Sequence, residues 1–172
     1  MKETTKNQLK QLVLTGNSFA TIIDKRVYIW LNVGFKEEID RAKILRLAKA
    51  LTITKKLTGL DTVVLYYHPE GEVAFTRHGL SKNKYKSKVF INMWYGKTIK
   101  GLTYTCIHEA CHVVTPKSEH GPGWVREMQK YYPADVIVAG IARNIPWPNG
   151  VSKAPKIRPI VVLNDHLEDK EI

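Results

Sequence analysis

The period of the apolar positions changes along this chain, and those changes outline its elements. From Lys36 to about Thr58, Ile39, Ala42, Leu45, Ala48 and Leu51 recur at helical spacing, and Glu37 can pair with Arg41. Gly59 stands where a C-terminal cap belongs, so this stretch predicts a helix. Three β-branched and aromatic runs follow. Thr62–Tyr67 and Val73–Arg77 read as strands around a Pro69–Glu72 turn, and Val89–Tyr95 reads as a third after the lysine-rich Ser81–Lys88 loop. Gly96 and Gly101 bracket a turn before a helix from about Leu102 to Val114, which Pro116 stops by biasing Thr115 away from helical geometry. Shorter helices are expected near Gly123-Trp124 and from Ala134 to Arg143. Upstream, Asn7–Leu14 is helical if ordered, while periodicity leaves Thr21–Ile23 and Val27–Leu31 undecided. Pro146, Pro148, Pro155 and Pro159 make the C-terminal part irregular, with Ile160–Leu163 as a short strand. One α+β domain is the economical reading, with 1–35 as an N-terminal segment packed on it, 36–145 as its body and 146–172 as a Pro-rich, acidic tail.

Composition narrows the class. At 172 residues, with 44% apolar and 25% charged residues, the chain can bury a core, and about one domain is expected. No apolar run nears the ~20 residues of a membrane helix. The mixed charge of Met1–Lys6 and the break at Thr15–Ser18 make a secretory signal unexpected, so the expected location is cytoplasmic. Cys106 and Cys111 are too few for a disulfide scaffold or a four-cysteine zinc ribbon. The net charge of +11 is uneven: residues 1–100 carry 19 basic and 8 acidic side chains, whereas residues 101–172 carry 8 of each. That surplus suits a polyanion such as DNA, with Lys82, Lys84, Tyr85, Lys86 and Lys88 as candidate contacts; it equally suits a solubilising lysine-rich surface.

The candidate chemistry lies in Tyr104–Val114, which contains His108-Glu109-Ala110-Cys111-His112 within a segment already read as helical. Residues four apart share one helix face, so both imidazoles can address one metal ion. Glu109 is then placed to accept a proton from water activated by the metal, with zinc the expected ion. A catalytic zinc typically takes a third protein ligand and keeps one position open. His120 offers that ligand, eight residues after His112, and Gly121-Pro122-Gly123 lets the chain pivot behind it. Glu127 is the rival third ligand, and Glu119 reads as a hydrogen-bond partner for a ligand ring. His68 and His78 read as turn residues, His166 as surface, and the two cysteines as small core residues. Tyr104 is an oxyanion stabiliser or, more simply, a packed aromatic.

His108-Glu109-x-x-His112 followed by His120-Gly121-Pro122-x-Trp124 resembles the SprT-like zinc metallopeptidases, the group that includes the DNA–protein-crosslink protease Spartan. Similarity extends over roughly Lys36 to Tyr131, through Gly71–Thr76, Ile91-Asn92 and the helix after them. The metzincin pattern does not fit, because its third histidine would fall on Ser118. The resemblance implies a zincin-like fold in which a small antiparallel sheet packs on the active-site helix. It also implies zinc on His108, His112 and His120, Glu109 as general base, and an extended protein or peptide substrate along an edge strand within Val73–Tyr95. Many members carry a C-terminal four-cysteine zinc ribbon, which two cysteines cannot supply. The functional expectation is a zinc-dependent endopeptidase, with DNA-associated proteins among its substrates and no membrane partner. The alternatives are a nucleic-acid-binding protein with a structural or vestigial zinc site, and a zinc hydrolase of non-peptide amides or esters.

Overall fold

The computed structural model describes residues 18–32, 38–78 and 87–141, and the backbone of 157–162. The candidate contacts Lys82, Lys84, Tyr85 and Lys86, and also Asn7–Leu14, Glu37 and His166, lie outside the described residues.

The two undecided apolar runs are strands. β1 (Ser18–Ile23) and β2 (Arg26–Asn32) form a hairpin whose two-residue turn holds Asp24 and Lys25 at φ 50° and 63°. Two consecutive left-handed residues match the right-handed twist of the flanking strands, and that lets so short a turn close. The chain then forms α1 (Arg41–Thr58), β3 (Thr62–Tyr66), β4 (Ala74–Arg77), β5 (Lys88–Asn92), α2 (Ile99–Val114), α3 (Pro122–Met128), α4 (Ala134–Ile141) and β6 (Ile157–Val162).

The six strands form one sheet in the order β4-β5-β3-β1-β2-β6. It is mixed rather than antiparallel as the resemblance implied: β3 and β5 run parallel, with Val64 opposite Phe90, and every other pair is antiparallel. The cause is the path after β3. The chain skips one strand position to lay down β4, then returns antiparallel to it as β5 in the gap, so β5 points the way β3 does. Residues 18–32, set apart in the sequence as a packed N-terminal segment, supply strands from the sheet's interior, β1 lying between β3 and β2. Within the 146–172 tail, β6 forms an edge beside β2 with Pro159 opposite Trp30. An edge accommodates a proline because one side of the strand makes no ladder hydrogen bonds.

α1 starts at Arg41 rather than Lys36, because the extended Asp40 accepts a 2.7 Å hydrogen bond from the Lys43 N–H and caps the helix there. It ends at Gly59, at φ 81°, whose N–H returns to the Lys55 carbonyl. Ile44, Leu47, Ala48 and Leu51 bury its inner stripe in the main core, among Ala20, Val27, Ile29, Val63, Leu65 and Ile91 of the sheet. α2 begins three residues earlier than expected, capped by Thr98, and stops at Thr115 before Pro116. It divides the interior: Leu102 and Cys106 join the main core, while Ile107 and Cys111 join a second core with Trp124, Met128 and Ile137. A helix buried on both flanks is a rigid base for a site. Among the described residues no helix is long and apolar enough to cross a membrane.

Candidate metal centre

His108 and His112 rise from α2 one turn apart, toward a cleft of about 500 Å³ bounded by β4, α2 and the loop after it. His120 reaches the same point from that loop. Its Nε2 lies 3.0 Å from Nε2 of His108 and 3.2 Å from Nε2 of His112, and the three donor atoms all fall within 4.8 Å of one another. Glu127, the rival ligand, is not in this group; it pairs at 2.5 Å with Lys130, just past the end of α3.

Trp124 holds the three rings. It is fully buried, and its indole lies 4.6 Å from the rings of His108 and His120 and 5.3 Å from that of His112, centre to centre. Its Nε1 donates to the backbone carbonyl of His108 at 3.3 Å. The loop is tied in by Ser118, whose hydroxyl accepts from the Trp124 N–H at 3.2 Å. A Cβ on Gly121 would come within 3.1 Å of that oxygen, so the Gly121 position is set by close approach. His120 itself sits at φ 43°, a left-handed conformation uncommon for a residue with a side chain.

Three imidazoles this close cannot satisfy one another. Burial lowers His108 to about 3, reinforced by His112 and His120, and burial with the His120 charge lowers His112 to about 4; His120 is lowered by burial, against the charge of Glu119. Near neutral pH all three rings are therefore neutral, each with one N–H. All three rings turn Nε2 toward the same point, and each Nε2 carries either one proton or one lone pair. The Nε2 of His120 therefore has one hydrogen-bonding function for two neighbours, and the three atoms cannot all be paired. A cation resolves that conflict. Ligand nitrogens 2.0–2.1 Å from a tetrahedral zinc lie about 3.3 Å apart, close to the separations seen. The three histidines lie close enough together to hold a metal ion.

Glu109 is buried beside the cluster, its Oε1 3.9 Å from Nε2 of His108. Its Oε2 accepts a 2.7 Å hydrogen bond from the hydroxyl of Thr76 on β4. Burial raises its pKa to about 7, opposed by the Thr76 hydrogen bond and reinforced by the charge of Glu72. Glu72 lines the same cleft from a turn held by the buried Asn92 and by two partly buried tyrosines. The side chain of Asn92 bonds both backbone groups of His68 and the carbonyl of Glu72, and the hydroxyls of Tyr66 and Tyr95 reach the carbonyls of Glu72 and Gly71.

Of the other candidates, His78 also lines the cleft, and its Nδ1 lies 2.9 Å from the Ser87 hydroxyl. His68 is a turn residue whose Nδ1 accepts from the Glu70 N–H. Glu119 lines the cleft, without a hydrogen bond to a ligand ring among the described contacts. Tyr104 packs against Tyr132 in the second core, and its hydroxyl sits where a Cβ on Gly140 would be, so it is a packed aromatic. Cys106 and Cys111 are free and buried, both pushed up to about 12 by burial. Lys88 is exposed at the start of β5.

Sequence reasoning missed Thr76, Glu72 and Ser118. No local signal marks them, since each matters through a partner distant in sequence or through the shape of the cleft. No family model, curated protein or solved structure matches the chain.

Proposed function

We propose that this protein is a zinc-dependent endopeptidase with a zincin-like arrangement of the SprT type. The observation that carries the reading is the convergence of His108, His112 and His120 on one point in an open cleft, with the carboxylate of Glu109 beside it. Structural zinc sites are typically closed by four protein ligands, so three donors facing a cleft support catalysis over a structural role. A bound zinc ion would polarise the scissile carbonyl and acidify water.

The chain's own groups do the rest. Glu109 accepts a proton at Oε1 as the water oxygen bonds to the carbonyl carbon, then passes it to the leaving amine nitrogen as the C–N bond breaks. β4, at the sheet edge and lining the cleft through Ala74, Phe75 and Thr76, supports docking of an extended protein segment by backbone pairing. The positive surplus of residues 1–100 supports DNA-associated proteins as substrates, and two free buried thiols support an intracellular location.

Two measurements test the reading. Freshly purified protein should contain one zinc per chain, and His120→Ala should lose it. Glu109→Gln should retain zinc and lose turnover of casein by at least about 100-fold, the scale of general-base catalysis. Full activity in Glu109→Gln would overturn Glu109 as the general base, and tight DNA binding by a wild-type protein that cuts nothing would replace the peptidase with the nucleic-acid-binding alternative. Cleavage of small esters but not casein would point to a non-peptide hydrolase.

A further inference from the structure

The two oxygens of the Glu109 carboxylate have different surroundings. Oε1 lies 3.9 Å from Nε2 of His108, while Oε2 faces β4 and accepts the Thr76 hydroxyl at 2.7 Å. The same hydroxyl oxygen lies 3.2 Å from the backbone carbonyl of Glu109. It therefore bridges the main chain and the side chain of one residue, which restricts how the carboxylate can turn. Thr76 is itself held: its strand pairs with β5, with Thr76 opposite Val89, and a β-branched side chain has few χ1 choices.

Resting on the peptidase reading, we propose that Thr76 is a positioning residue for proton transfer, occupying Oε2 so that Oε1 alone is presented to the reacting water. The case is geometric. A buried carboxylate without this donor could rotate about its last bond, exchange its oxygens and lose the alignment that proton transfer requires. Misplacement of a reacting group by about 1 Å costs on the order of 100-fold in rate. Thr76 also lies on the strand that lines the cleft, so one element fixes both the base and the wall against which an extended chain would lie.

Thr76→Val removes the hydroxyl, keeps the shape and suits a strand. In the zinc-loaded full chain, kcat on a peptide substrate should fall about 10- to 100-fold with KM within twofold of wild type, and Thr76→Ser should restore most of it. Thr76→Ala gives the same readouts should the valine variant not fold. A second measurement needs no turnover: the side-chain carboxyl ¹³C resonance of Glu109 in metal-free protein, identified by its loss in Glu109→Gln. It should move in Thr76→Val and return in Thr76→Ser. An unmoved resonance, a wild-type kcat, or a failure of serine to rescue overturns the positioning role. Absence of peptide hydrolysis by the zinc-loaded wild type overturns the peptidase reading, whereas the resonance reports on the contact independently.

Discussion

His108 and His112 stand on a helix that would exist without a metal: α2 is capped by Thr98, stopped before Pro116, and buried against a core on each flank. His120 stands in the loop Thr115–Gly121, where nothing periodic holds it. There the Thr115 hydroxyl bonds the Cys111 carbonyl at 2.6 Å, the Ser118 N–H bonds the Thr115 carbonyl at 3.0 Å, and the Ser118 hydroxyl receives the Trp124 N–H. The helix places two ligands by backbone geometry, and the loop places the third by side-chain contacts and one left-handed residue. A site built from both has its spacing fixed on one side and its closure adjustable on the other.

Trp124 is the common support of the two regions, and removing it is the strongest way to break the comparison. Trp124→Ala should cost about 3–5 kcal/mol of stability, the range for truncating a buried aromatic. Zinc affinity should also fall, because all three rings lose the surface they pack on. Urea unfolding of metal-free protein and zinc titration read the two losses separately. A variant that kept wild-type zinc affinity would mean the loop holds His120 without the indole.

What the sequence made legible follows the same division. His108, Glu109 and His112 were readable because helical spacing converts i and i+4 into adjacency, and Pro116 marked where the helix ends. His120 was readable from Gly121-Pro122-Gly123, a pivot with no other obvious purpose. Thr76 was not, because its partner Glu109 is 33 residues away and a threonine in a strand has an ordinary explanation. Asn92 likewise looks like any strand end until its side chain is seen bonding the 68–72 turn. The mixed sheet was also hidden, since strand order depends on long-range pairing that periodicity does not encode. The sequence does not mark β1 and β2 as strands for a related reason: strands in the middle of a sheet are buried on both faces and lose the alternation that identifies exposed ones.

Acid sensitivity sharpens the contrast from the helix side. In metal-free protein, His108 is lowered by burial and then by its two neighbours, so its neutrality contributes stability present above its ordinary value near 6.5 and lost as pH falls toward about 3. Glu109, raised by burial from 4.5 to about 7, acts oppositely: its contribution is present below 4.5 and lost as pH rises through about 7. Between pH 4.5 and 6.5 the two offset each other. Glu109→Gln removes one side of that balance. Relative to the variant, metal-free wild type should gain about 1.4 kcal/mol for each pH unit of acidification from 7 to 4.5, measured by urea unfolding. Parallel pH curves would show that Glu109 is solvated in the metal-free protein.

The smallest effect is the most specific to the loop. At φ 43°, His120 carries about 1–2 kcal/mol of backbone strain that asparagine relieves in part, because asparagine tolerates the left-handed region. His120→Asn also gives up the ring's contact with Trp124, a term of about 0.5–1.5 kcal/mol. The two nearly cancel, so metal-free His120→Asn should unfold within about 0.5 kcal/mol of wild type while binding zinc far more weakly. His112→Asn has no such relief: it loses a ring stacked on Trp124 at an interplanar angle of 26° and places a weaker helix former in α2. It should cost about 1–2 kcal/mol in the metal-free protein. Equal costs at the two positions would show that the loop ligand is as firmly built into the apo fold as the helical one, and that zinc does not close the site.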